Sequence, residues 1–139
     1  MFPGLRVLLV DDEESVRELF TLRLERWGCE VAVAKGGQEG VERYRHLQPD
    51  LVLMDLRMPG GSGLDASRAI VDWDPEARII IITESPDAFL ALKALEEKVA
   101  KLVVPKPFYF DQLEMAMKEV LRTRKPERKR MPEEGASAG

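Results

Sequence analysis

Apolar residues fall in short blocks along this chain, and the blocks alternate between two rhythms. Leu5 to Val10 (LRVLLV) is a nearly continuous apolar run that ends abruptly at Asp11 and Asp12, as a strand buried on both faces does. From Glu14 the spacing lengthens: Val16, Leu19, Phe20, Leu24 and Trp27 recur at helical intervals, and Gly28 follows where a C-terminal cap belongs. Glu30 to Ala34 returns to a strand rhythm, Gln38 to Leu47 sets Val41, Tyr44 and Leu47 on one helical face, and Asp50 to Met54 is again apolar before Asp55. PGGSG at residues 59 to 63 reads as a loop, and Leu64 to Trp73 as a helix stopped by Asp74 and Pro75. Beyond it, Arg78 to Ile82 is an isoleucine-rich strand, Ala88 to Lys98 a helix led by Ser85 and Pro86, and Lys101 to Val104 a short strand. A last helix follows Asp111, with Leu113, Ala116, Met117, Val120 and Leu121 as its apolar stripe.

Strands alternating with helices in this way predict an α/β fold: a doubly wound five-stranded parallel sheet with five helices, covered on both faces through right-handed crossovers. In such a sheet the ligand sits outside the carboxyl ends of the strands, where the strand order reverses. After about Arg124 the chain reads RKPERKRMPEEGASAG and has no periodic apolar face. It cannot bury enough surface to order itself. The expected organisation is one domain over residues 1–124 and a flexible charged tail over residues 125–139.

Composition agrees with one core and little more: 139 residues, 45% hydrophobic and 33% charged. No apolar run approaches the roughly 18 residues that span a bilayer, and the N-terminus lacks the basic-then-apolar layout of a secretory signal. The expectation is a cytoplasmic protein with no membrane partner. The single cysteine, Cys29, cannot form an internal disulfide, and the single histidine, His46, cannot build a His-rich metal site. A net charge of −4 gives no general reason to expect nucleic acid. The basic stretch Arg122 to Arg130 has no folded reading helix, so it reads as a solvated linker that offers no specific nucleic acid binding.

The chemistry gathers at the strand ends. Asp11 and Asp12, Asp55, Thr83 and Lys106 come from four separate stretches, and the fold brings all of them to one edge. Acidic pairs and lysines commonly cap strand ends as solvated groups, so each alone is weak evidence; their convergence is what counts. Three carboxylates at one edge call for cations, and Mg²⁺ takes one or two carboxylates, waters and a phosphate oxygen. A carboxylate held beside such a metal can attack phosphorus and form an aspartyl phosphate. Lys106 then neutralises phosphoryl oxygens, and the Thr83 hydroxyl donates a hydrogen bond whose presence depends on the phosphoryl group.

Four motifs, LLVDDE at residues 8–13, LVLMDLRMPG at 51–60, IIITE at 80–84 and PKPF at 105–108, together resemble the receiver domain of two-component response regulators, a flavodoxin-like fold, from Leu5 to about Leu121. The resemblance implies that Asp55 is the phosphoacceptor. It further implies that Asp12 and Asp55 bind Mg²⁺ directly, that Asp11 binds it more through water, and that the backbone carbonyl of Arg57 completes the protein ligands. Thr83 and Lys106 are the remaining phosphoryl partners, with a cis bond between Lys106 and Pro107. A sensor histidine kinase or phosphotransfer protein is the expected donor. Output is expected through the face of the fourth helix, fifth strand and fifth helix, toward a partner or a second copy. The chain would not be an enzyme but a switch that assists its own phosphorylation and dephosphorylation.

Three departures from the family pattern involve four positions. Glu84 follows the switch threonine where Ala or Gly is usual, Val103 replaces an aromatic residue, and Val99 and Ala100 replace the Gly-Ala that opens the last strand. By the resemblance, Arg57 and Glu84 occupy the two family positions that flank the route to Asp55; two readings stay open, an ion pair that forms a partial lid and a Glu84 that points into water and does little. A binding module that keeps the fold without phosphorylation is the second reading. An aspartyl-phosphate hydrolase would need a second Asp where Arg57 stands, and a flavin would be repelled by Asp11 to Glu14.

Overall fold

The computed structural model of the protein describes residues 1–58, 61–84, 88–106 and 110–122. Its elements run β1 (Arg6–Val10), α1 (Glu14–Arg26), β2 (Glu30–Ala34), α2 (Gly37–Leu47), β3 (Leu51–Asp55), β4 (Arg57–Met58), β5 (Gly61–Ser62), α3 (Gly63–Trp73), β6 (Ile79–Glu84), α4 (Ala88–Glu96), β7 (Leu102–Lys106) and α5 (Phe110–Leu121). Five strands form one parallel sheet in the order β2-β1-β3-β6-β7. The predicted five-stranded, doubly wound architecture is therefore the observed one.

Alternation along the strands feeds two cores. Leu8, Val10, Val52, Met54, Ile79 and Ile81 face one side, with Tyr44 of α2, Ile70 of α3 and Ala91 and Ala94 of α4. Val7, Leu9, Leu51, Leu53, Ile80 and Ile82 face the other, with Phe20 and Leu24 of α1 and Leu113, Met117 and Val120 of α5. Each such Leu or Ile contributes about 1.5–3 kcal/mol by leaving water. This two-sided burial is why the strands read as unbroken apolar runs.

Three details differ from the sequence reading. Leu19 was expected in the apolar stripe of α1 but is 54% exposed, because residues 16, 20 and 24 already define the inward face. The stretch expected as a loop includes β5, which pairs antiparallel with β4 as Arg57↔Ser62 and Met58↔Gly61, and its Gly63 begins α3. Two-residue strands are too short to show alternation. Ser62 caps α3, its Oγ accepting from the Asp65 N–H at 3.2 Å. The expectations for Pro59, Ser85, Pro86, the Lys106–Pro107 bond and the tail fall on or reach residues outside the described set.

The helix ends explain how the chain turns. Gly28, at φ +95, follows α1; its N–H donates to the Glu25 carbonyl and the Cys29 N–H to that of Leu24, both at 3.0 Å. A Cβ at Gly28 would also stand 3.0 Å from Pro3 Cα. After α4 the same pair of bonds recurs, Lys98 to Leu95 at 3.0 Å and Val99 to Ala94 at 3.1 Å, but the left-handed residue is Lys98, at φ +63. The helix thus stops without glycine by holding a lysine in a disfavoured conformation. Elsewhere, the buried Tyr44 hydroxyl donates to Asp74 at 2.7 Å and its ring meets Trp73 edge-on, tying α2 to the end of α3.

Two stability predictions follow from these packing details. Lys98→Gly removes the left-handed penalty at an exposed position and is expected to raise stability by about 0.5–1 kcal/mol, read as a higher urea midpoint at unchanged slope. The Ser67 hydroxyl is fully buried on α3 with no hydrogen-bond partner among the described residues. Ser67→Ala relieves that desolvation without creating a cavity and is expected to add about 1 kcal/mol in the same measurement; a loss of stability would show that the hydroxyl is satisfied.

Candidate functional site

Strand register brings the predicted residues to one edge of the sheet. Val10 pairs with Met54, so Asp11 and Asp55 follow at neighbouring strand ends. Asp55 pairs with Ile82, so Thr83 follows on its other side, and the register continues through Thr83↔Pro105 and Glu84↔Lys106. The same edge holds the reversal of strand order, because β1 lies between β2 and β3. Helices depart to opposite faces there, α1 to one core and α2 to the other. This is the crevice in which a doubly wound sheet binds its ligand.

Local sequence shapes the acidic loop. The Asp11 N–H continues the ladder to Ala34 at 3.1 Å, and its carboxylate then accepts from the Glu13 N–H at 2.9 Å, a side-chain turn typical of aspartate. Arg17, one turn into α1, donates from Nη1 to the Asp11 carbonyl at 2.9 Å. Sequence reasoning passed over Arg17, since an arginine on a helix is ordinarily a solvated one. Its spacing of six residues from Asp11 was the only signal.

One carboxylate oxygen from each of Asp11, Asp12 and Asp55 lies within 4.8 Å of the other two. At that separation a pair of full charges repels by roughly 3–4 kcal/mol at an effective dielectric of about 20. Asp11 and Asp55 are only 2% and 7% exposed, so water is poorly placed to screen them, whereas Asp12 stands at the more open rim. A divalent cation turns this mutual repulsion into shared attraction. The donor set is all oxygen, which suits Mg²⁺. Mg²⁺ ordinarily takes one or two carboxylates together with waters and a phosphate oxygen, and a cluster of this size would offer it such ligands.

Thr83 is buried at 4% exposure on β6. Lys106 ends β7, where its backbone pairs with that of Glu84. The side chains of Glu84 and Lys106 are outside the described set, and so is any pairing of Arg57 with Glu84. Arg57 itself is exposed in β4, two residues past Asp55. Val103 is partly buried against the core shared with α2, α3 and α4. Cys29 is buried far along the chain from this cluster, and burial pushes its thiol up to about 11, leaving it protonated and unreactive. No helix among the described residues is long and apolar enough to cross a membrane.

The chain is similar to many known proteins of one kind. The chemotaxis protein CheY of Thermotoga maritima is 36% identical over 118 residues, covering 84% of this chain and 98% of that protein. The DNA-binding response regulator MtrA of Mycolicibacterium smegmatis is 34% identical over 122 residues, covering 88% of this chain and 53% of its own length. The chain thus spans about half of that longer relative, and 43% of the transcriptional regulatory protein LnrK of Bacillus subtilis. Among solved structures, a response regulator receiver domain protein from Clostridium thermocellum superposes with a TM-score of 0.81 at 29% identity, covering 85% of this chain and 94% of that one. The response regulator TrrA of Thermotoga maritima, solved in complex with Mg(2+)-BeF, gives 0.74 at 34% identity, covering 84% and 98%. The family model for the response regulator receiver domain matches residues 7–118, and the chain belongs to that family, the phosphorylation-dependent receivers of two-component signalling.

Proposed function

We propose that Asp55 is the phosphoacceptor and that Asp12, Asp55 and the Arg57 carbonyl hold Mg²⁺ directly, with Asp11 acting more through water. One observation carries the reading: three carboxylates from two adjacent strand ends meet within 4.8 Å at the edge where the strand order reverses. TrrA, similar in fold and sequence, was solved in complex with Mg(2+)-BeF, which supports an Mg²⁺ site in this chain.

The donor is a phosphohistidine on a sensor histidine kinase or a phosphotransfer protein. An Asp55 oxygen forms the new O–P bond as the P–N bond breaks, and the imidazole leaves with the bonding pair and takes a proton from water. Mg²⁺, when bound, supplies positive charge to the phosphoryl oxygens. Lys106 supplies a second positive charge, and the Thr83 hydroxyl donates to a phosphoryl oxygen. Attack of water on phosphorus later returns the carboxylate and releases phosphate, so the chain assists both halves of its own cycle. The setting is the cytosol, which the donor shares.

Readout runs from Thr83 to α4. That helix rests on the core through Ala91, Ala94 and the partly buried Leu90 and exposes Phe89, Leu92 and Leu95, while Met115 is exposed on α5. The face of α4, β7 and α5 engages an output partner or a second copy. Because Val103 has no ring to swing, the signal travels by backbone and helix movement.

A small phosphodonor with Mg²⁺ is expected to add one acid-labile phosphoryl group, and Asp55→Asn to abolish the mass increase. An unchanged wild-type mass would favour a binding module that has lost the reaction. Asp12→Ala is expected to weaken Mg²⁺ binding at least tenfold in a calorimetric titration, whereas Lys106→Ala leaves the affinity within about twofold and removes most of the phosphorylation. Equal Mg²⁺ affinity in the Asp12 variant would take that residue out of the metal site.

A further inference from the structure

The chain that carries Asp55 out of the sheet turns back on itself within eight residues. Arg57 and Met58 pair with Ser62 and Gly61, and the Gly63 N–H donates to the Leu56 carbonyl at 2.8 Å. Residue 63 is also the first of α3, so the helix begins directly on the peptide that follows Asp55. A Cβ at Gly63 would overlap the Asp55 carbonyl oxygen outright and stand 2.9 Å from both the Asp55 carbonyl carbon and Leu56 Cα. These are backbone atoms, so no side-chain rotation relieves the overlap. Gly63 is not among the residues with positive φ, so space rather than a left-handed backbone makes it a glycine, and the space is taken by the backbone of residues 55 and 56.

We infer that Gly63 is a positioning residue for the phosphoryl-transfer site, its close approach to the Asp55–Leu56 peptide fixing where the Asp55 carboxylate stands relative to Asp11 and Asp12. The inference rests on the reading of Asp55 as nucleophile and metal ligand. The β4–β5 ribbon closes the loop after Asp55, and the Gly63 to Leu56 hydrogen bond locks its far end to its beginning. Any side chain at 63 must push the two backbones apart by a large fraction of an ångström. Asp55 is the last residue of β3, so this displacement reaches its carboxylate with nothing beyond it in the strand to resist. Productive sites tolerate shifts of only about 0.5 Å, and a 1 Å error costs on the order of a hundredfold.

Gly63→Ala is expected to bind Mg²⁺ at least tenfold more weakly than wild type by calorimetric titration and to be phosphorylated at least tenfold more slowly at saturating Mg²⁺. Ala66→Gly, within the same helix but with its side chain in the core beside Gly37, serves as the destabilised control; it should lower the unfolding midpoint while keeping Mg²⁺ affinity within about twofold. Coupling is reciprocal, so Mg²⁺ must also slow hydrogen exchange of the Gly63 amide in the wild-type protein, and that measurement decides the matter if Gly63→Ala does not fold. Wild-type affinity in a folded Gly63→Ala, an equal loss in Ala66→Gly, or a Gly63 amide indifferent to Mg²⁺ would each overturn the inference. A wild-type chain that takes up neither Mg²⁺ nor a phosphoryl group would instead overturn the Asp55 reading, and this one with it.

Discussion

Burial of the parallel sheet on both faces fixes everything else, because it leaves each strand a single acceptable register. Leu51, Val52, Leu53 and Met54 on β3 are all fully buried, alternately serving the two cores. Slipping β3 by one residue against β1 would exchange those cores and move Asp55 by about 3.3 Å along the strand. One oxygen of each carboxylate lies within 4.8 Å of the others, so such a slip would dismantle the cluster. Apolar packing along several strands therefore holds like charges where electrostatics alone would drive them apart.

Much of this was legible in the residues. Buried strands and amphipathic helices leave strong periodic signals, and the acidic strand ends follow directly from where the apolar runs stop. What escaped notice has physical reasons. Leu19 has the spacing of a core residue, yet α1 is served by a narrower stripe, and spacing alone cannot tell how wide an inward face is. The β4–β5 ribbon is too short for any period, and Gly63 looks like one more loop glycine until its distance from the Asp55 backbone is known. The absence of a glycine after α4 left the geometry of its end open, and the left-handed Lys98 answers it.

Helix α4 differs from its neighbours in how it is held. Its inward face offers the small residues Ala91 and Ala94 with Leu90 partly buried beside them, whereas Phe89, Leu92 and Leu95 point to solvent. Burying an alanine yields far less than burying a leucine or phenylalanine, so this helix, with only Leu90 partly buried among its larger residues, gains less from the core than α1 or α5 does. At its far end the Arg68 guanidinium grips Glu97 through two bonds, at 2.7 and 2.8 Å, and also touches Asp65 on α3. All three groups are solvated and the pairing is weak in water, but it gives α4 one anchored end and one end beside Thr83.

The sole thiol, Cys29, has a practical meaning. It is buried just after α1, and its proton is held well above neutral pH, so electrophilic reagents meet almost no thiolate there. A cysteine introduced on the solvent side of α4, in place of the exposed Leu92 for instance, would take a fluorophore or spin label well ahead of Cys29 in the folded protein. The native sequence thus offers a low-reactivity background for spectroscopic tracking of helix movement, with no substitution inside either core.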